Sequence, residues 1–133
     1  MGRTQKPFEL ARLLAALADP TRLRLLNLMR GREVCVCYFV KILEQGQPKI
    51  SRHLAYLRRA GLVRARRDGK WMHYSMERPA DATGASVLDT VLNSLKDDKK
   101  MQADLTRLER ACCQPGKFAT LEGAPVPIAA GRG

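Results

Sequence analysis

Helical stripes too short to stand alone, each cut off by Gly or Pro, govern what this chain can fold into. Leu10, Leu13, Leu14 and Leu17 recur at i, i+3, i+4 and i+7, which lines one face of a helix over Phe8 to Ala18. Asp19 is suited to the N-cap of the next helix and Pro20 to its first turn, and Leu25, Leu28 and Met29 supply a buried stripe that Gly31 ends. Glu33 to Cys37, short and β-branched, predicts an extended segment leading into a third helix over Phe39 to Gln45, with Phe39, Val40 and Leu43 inward. After the turn Gly46-Gln47-Pro48, Pro48 opens a fourth helix to about Ala60, with Ile50, Leu54 and Leu57 as its inner face and Gly61 as its stop.

The periodicity then switches. Val63 to Met76 predicts a hairpin in which Asp68-Gly69 forms a type I′ turn and pairs Arg67 with Lys70. One face then carries Val63, Ala65, Met72, Tyr74 and Met76 and packs on the helices. The other carries Arg64, Arg66, Trp71 and His73, with Arg66 opposite Trp71 as a cation–π pair. Beyond the break at Pro79 to Gly84, apolar residues from Val87 to Leu108 predict one long helix from Ser86 to Cys112, although Asp97-Asp98-Lys99-Lys100 interrupts its stripe. Such a helix leaves a seam that self-association buries, unless it folds back on the first helix. From Gln114 onward Pro, Gly and Ala dominate and predict a disordered tail. The expected organisation is one domain over residues 1–111, then a Cys-Cys pair and flexible tail over 112–133.

Charge narrows the class of partner. Lys and Arg number 24 against 13 Asp and Glu, a net +11, which favours a polyanion. An aromatic content of 5% is low for stacking unpaired bases, so duplex nucleic acid is expected. Lys49, Arg52, Arg58, Arg59, Arg64, Arg66, Arg67 and Lys70 cluster with Asp68 as the sole acid among them. On the fourth helix Arg52, Tyr56 and Arg59 share the face opposite the apolar stripe, flanked by Lys49, Ser51 and Ala55. A solvated helix surface has the same look, but a basic helix following a short turn and preceding a hairpin points to a helix-turn-helix. Leu10 to Ala18 is expected to be a helix rather than a secretory leader, because Glu9 precedes it, Arg12 interrupts it and Asp19-Pro20 follows it. A soluble, cytoplasmic protein without a membrane partner is expected. Enzyme readings find no support: a Cys-x5-Arg anion loop would need Arg where Lys41 and Leu43 stand, and no glycine-rich phosphate cradle is present.

The cysteines come as Cys35-Val36-Cys37 and Cys112-Cys113. In a helix Cys35 and Cys37 would point about 200° apart. In a strand they face one side with Cα atoms about 6.6 Å apart, close enough to chelate. Paired thiolates select soft centres such as Cu(I), Zn or a trivalent arsenical. Small buried hydrophobes are the plainer use of such residues. Neighbouring cysteines form only a strained disulfide ring, so Cys112-Cys113 suits chelation better, unless the two merely end a frayed helix. His53 is expected at phosphate or base, and His73 on the hairpin surface, since neither has a partner at ligand spacing.

Ala16-Leu17-Ala18-Asp19-Pro20-Thr21-Arg22, Glu33-Val34-Cys35-Val36-Cys37, Ile50-Ser51-Arg52-His53-Leu54, Gly61-Leu62-Val63 and Asp68-Gly69-Lys70-Trp71 together resemble the ArsR/SmtB family of winged-helix metal-responsive repressors, and its arsenic-sensing members in particular. The resemblance spans Phe8 to Leu108. It implies a mainly α fold with a β-hairpin wing, a winged helix-turn-helix that dimerises through its first and last helices. It also implies major-groove entry by the helix from Pro48 to Ala60. With the charged face this gives Gln47, Lys49, Ser51, Arg52, His53, Tyr56, Arg59, Arg66, Arg67 and Lys70 as candidate contacts to double-stranded operator DNA. The implied effector is trivalent arsenic as arsenite or an organoarsenical, with antimonite or another soft metal as alternatives and no organic cofactor. Arsenite takes three thiolates, of which Cys35 and Cys37 supply two, leaving Cys112, Cys113 or an exogenous thiol for the third. Two departures matter: relatives often read Cys-Val-Cys-Asp-Leu-Cys where this chain has Val40 in place of the third cysteine, and the helix from Ser86 to Cys112 lacks the histidine of zinc-sensing relatives. A thiol redox switch, with Cys35 or Cys37 bridging to Cys112 or Cys113, is the alternative on the same fold.

Overall fold

Asp19 caps as its position before Pro20 predicts: its Oδ2 accepts the Arg22 N–H at 3.0 Å. It thereby separates α1 (Pro7–Leu17) from α2 (Pro20–Leu28) in the computed structural model, which describes residues 7–112 and 124–129. Strand β1 (Arg32–Cys35) follows, then α3 (Val36–Leu43), α4 (Gln47–Arg59), the hairpin β2 (Val63–Asp68) and β3 (Trp71–Met76), then α5 (Ala82–Leu95), α6 (Lys99–Cys112) and a short β4 (Ile128–Ala129). The stripes meet in one core. Leu13 and Ala16 of α1, Leu25, Leu26 and Leu28 of α2, Tyr38, Phe39 and Ile42 of α3, and Ile50, Leu54 and Leu57 of α4 are all buried. No described helix is long and apolar enough to cross a membrane.

The extended segment predicted to reach Cys37 stops two residues earlier, and α3 starts at Val36 rather than Phe39, ending at Leu43 with Glu44 in a left-handed conformation (φ 56°). Tyr38 and Ile42 are therefore buried where Val40, expected inward, is only half-buried.

The sheet runs β2-β3-β1-β4, antiparallel throughout. In the hairpin Asp68 faces Trp71, so the loop is Gly69-Lys70 rather than Asp68-Gly69. Gly69 alone in this loop has positive φ (63°), the pattern of a type II′ turn with Gly first, in place of the predicted type I′. This two-residue slip leaves each side chain on its predicted face but moves its partners. Arg66 stands opposite His73, not Trp71, and Lys70 lies over the Trp71 ring at 5.0 Å. The face expected to be solvated is also partly closed. His73 and Ser75 are buried because β3 is an inner strand, flanked by β1 as well as β2.

The single long helix predicted from Ser86 to Cys112 is broken at 96–98. Asp98 Oδ1 accepts the Met101 N–H at 3.0 Å and starts α6 afresh. The new helix turns back onto α2 and α3 rather than onto α1. Asn27 Nδ2 donates to the Met101 carbonyl at 3.0 Å, and Arg24 grips Asp104 through two hydrogen bonds of 2.7 and 2.9 Å. Part of the tail predicted as disordered is ordered: Ile128 and Ala129 pair with Glu33 and Arg32 at the free edge of β1.

Candidate thiol site and nucleic-acid interface

The change from strand to helix at Cys35 creates the thiol pair. Cys35 keeps extended dihedrals (φ −71°, ψ 143°) at the N-cap of α3, while Cys37 lies in that helix's first turn. Neither an all-strand nor an all-helix segment is present, yet the bend brings the sulfurs to 3.2 Å, with the Cys37 thiol donating to Cys35 Sγ. Both are free thiols, Cys35 buried and Cys37 half-buried. Burial pushes the Cys37 thiol up to about 12, and the hydrogen bond and charge of the Cys35 sulfur add to that, while backbone N–H groups of the helix's first turn oppose it. Burial also raises the Tyr38 phenol, with a further push from the two sulfurs. Cys112, half-buried at the end of α6, is disulfide-bonded, so it is not the free dithiol member expected; Cys113 lies outside the described residues. Among the described residues no three His, Cys, Asp or Glu side chains gather as a metal site.

Helix α4 presents Gln47, Lys49, Ser51, Arg52 and Arg59 to solvent while Ile50, Leu54 and Leu57 are fully buried beneath them. Tyr56, half-buried, lies beside the Arg22 and Arg59 guanidiniums, 4.0 and 6.0 Å from its ring centre. His53 faces inward instead of joining the exposed row: its Nδ1 is 3.2 Å from Arg22 Nη1 and 3.8 Å from Asp19 Oδ2. Accepting from Arg22 at Nδ1 places the ring proton on Nε2. Burial lowers the His53 pKa, Asp19 opposes this, and Arg22, Lys49 and Arg52 reinforce it. Sequence reasoning gave Arg22 no role, though its motif was singled out. Its Nε and Nη2 donate to the carbonyls of Ala16 and Ala15 at 2.8 and 3.0 Å, so one guanidinium closes the end of α1 and seats α4.

On the wing the cations divide. Arg67 and Lys70 are exposed at the tip. Arg66 grips Glu33 of β1 with Nη2–Oε1 at 2.7 Å and Nε–Oε2 at 3.0 Å, and this hydrogen-bonded guanidinium holds the Glu33 carboxyl below the usual range. His73 Nε2, expected at the surface, is buried 3.8 Å from Asp68 Oδ2 without a hydrogen-bond partner.

Known proteins agree with this architecture. Residues 19–65, from the Asp19 cap through the thiols and α4 into β2, match the family described as bacterial regulatory protein, arsR family. The chain is 41% identical over 102 residues to the arsenical resistance operon repressor of Escherichia coli K12, covering 76% of this chain and 86% of that one. To the arsenic resistance transcriptional regulator ArsR1 of Pseudomonas putida KT2440 it is 44% identical over 94 residues, 67% of this chain and 73% of the relative. Among solved structures HlyU from Vibrio cholerae N16961 superposes with a TM-score of 0.57 at 28% identity, covering 65% of this chain and 91% of that one. These relatives are transcriptional regulators rather than enzymes, and the chain belongs with them to the arsR family of bacterial regulatory proteins.

Proposed function

We propose that the chain is a homodimeric repressor of duplex operator DNA, released when Cys35 and Cys37 take up a trivalent arsenical. The observation that carries this is the pair of free sulfurs 3.2 Å apart at the start of α3, one turn-linked helix before α4. With sulfur bonds of about 2.3 Å, as to zinc, two thiolates on one atom span at most about 4.6 Å, so the pair fits a single soft centre. Gln47, Lys49, Ser51, Arg52 and Arg59 on α4, with Tyr56 beside them, form the reading face, and Arg67 and Lys70 at the wing tip meet phosphates. His53 seats the helix through Arg22. Leu14, exposed on α1, belongs to the dimer seam.

The raised Cys37 pKa favours a metalloid over a divalent cation. A divalent ion must displace thiol protons, at a cost that grows with the pKa. Arsenous acid, a neutral hydroxide, exchanges an As–OH for an As–S bond while the thiol proton leaves with the hydroxyl as water. Two such exchanges leave one As–OH, which an exogenous thiol replaces in the same way. Arsenite affinity is therefore nearly flat between about pH 6 and 8, whereas cadmium affinity climbs with pH.

The test is a mobility-shift titration on a duplex selected by the protein from a random pool. Arsenite releases the parent protein, while Cys35→Ser and Cys37→Ser bind the duplex and stay bound; release of both variants overturns the proposal. A hundredfold loss of DNA affinity corresponds to about 2.7 kcal/mol of coupling, and the same factor must separate arsenite affinities of free and DNA-bound protein. A second reading on the same fold is a redox-responsive repressor in which Cys35 or Cys37, free thiols here, bridges to Cys112 or Cys113 on oxidation. Release by peroxide and not by arsenite would select it.

A further inference from the structure

We propose that the Glu33–Arg66 pair is the joint through which the state of the thiol pair reaches the wing, and that Arg66 is a positioning residue for the DNA interface rather than a phosphate contact. This rests on the effector reading above. Cys35, His73 and Arg66 stand opposite one another across β1, β3 and β2. Glu33, two residues before Cys35, therefore shares the face of β1 that carries the thiol. From there it reaches over β3 to Arg66, and His73 and Ser75, both buried, lie on that same face of β3 between the two. A displacement of Cys35 moves Glu33 with it, because the two are on one short strand held on both sides by pairing.

The same geometry removes Arg66 from the pool of phosphate ligands. Two of its donors, Nε and Nη2, are committed to one carboxylate in the fork arrangement that a phosphate would otherwise occupy. The sequence disguises this, since Asp68 is the only acid near Arg66 along the chain and its partner arrives from 33 positions away. The Glu33 side chain is 13% exposed against 51% for Arg66, so the carboxylate is the anchored end of the joint and the wing arginine the end it holds.

The experiment measures DNA binding by the full chain by fluorescence anisotropy across a salt series, with and without arsenite, for the parent protein, Glu33→Gln, Arg66→Gln, Arg66→Lys and the exchange Glu33→Arg/Arg66→Glu. For a parent released about a hundredfold, Glu33→Gln and Arg66→Gln each cut the release factor at least tenfold, and Glu33→Gln combined with Arg66→Gln, measured alongside them, loses no more than either single. Arg66→Lys keeps the charge but loses the fork, so it behaves as Arg66→Gln. The exchange variant recovers part of the release. The slope of log affinity against log salt is unchanged in all of them. The joint is overturned if Arg66→Gln lowers that slope by about 1 while Arg66→Lys restores it and Glu33→Gln tightens DNA binding with release intact, which is the behaviour of a phosphate contact screened by a neighbouring acid. A parent protein that arsenite does not release sinks the effector reading and the joint with it. Release of the parent and of Glu33→Gln alike sinks only the joint. Circular dichroism of Arg66→Lys, a substitution at a half-exposed position, separates uncoupling from misfolding.

Discussion

The helical layer and the sheet are each tied by an arginine that grips a carboxylate through its Nε and Nη2, with a shortest contact of 2.7 Å in both. In the helical layer Arg24 of α2 meets Asp104 of α6, with side chains 13% and 3% exposed. In the sheet Arg66 of β2 meets Glu33 of β1, at 51% and 13%. The contact chemistry is shared, and burial separates the consequences. A buried carboxylate stripped of its partner cannot recover water, so the first pair is a condition of folding. The second can open into solvent at little cost, which makes it usable as a moving part.

The largest expected effect follows from the first pair. Arg24→Met leaves the Asp104 carboxylate buried and unpaired, and a loss of about 3–5 kcal/mol is expected in urea denaturation. Replacing both, as Arg24→Met/Asp104→Leu, returns most of it, because two apolar side chains need no counterion. If the single variant is as stable as the parent, burial is not what distinguishes the two ties. Next in size is the sheet pair, where the readout is titration rather than unfolding. Arg66 holds the Glu33 carboxyl below the ordinary range, with His73 and Arg64 adding to the effect. A carboxyl depressed in the folded state contributes stability above its unfolded pKa, and that contribution is lost as pH falls through the lower folded value. The carbon-13 shift of the Glu33 carboxyl should therefore titrate below the ordinary glutamate value, and Arg66→Gln should move the midpoint back up. A midpoint at or above that value in the parent protein would mean that the fork does not persist in solution.

This division was only half legible in the residues. The helical stripes are local, so Leu13, Leu25, Ile50, Leu54 and Leu57 declared themselves by spacing alone, and the stop at Gly61 came with them. The thiol pair was legible too, but not its geometry: a strand was expected to align Cys35 and Cys37, and a strand breaking into a helix does so instead. The cap at Asp98 has a local cue in the charged run that interrupts the stripe, but the same run fits a solvated stretch of one continuous helix equally well. What could not be read was set by pairings between distant segments. Glu33 gives no sign of meeting Arg66 until β3 is placed between their strands, and His73 looks like a wing surface residue until β1 covers its other side. Arg22 belongs with these, since its carbonyl, ring and imidazole partners come from α1 and α4.

A third pair supplies the control and the smallest effect. Arg78, just after the wing, meets Asp89 of α5 with contacts of 2.6 and 2.7 Å, as well formed as the other two, but the side chains are 60% and 44% exposed. Water and salt screen such a pair, so distance alone overstates its worth. Asp89→Asn is expected to leave the urea midpoint, the DNA affinity and the arsenite release factor where they are in the parent protein. The position sharpens the comparison because Arg78 follows β3 by two residues and would move with the wing. If Asp89→Asn reduced release as Glu33→Gln does, any tether on the wing would suffice, and the shared face of Glu33 and Cys35 on β1 would have no special part in the coupling. A variant silent in release, beside a Glu33 variant that is not, assigns the coupling to the strand that carries the thiol.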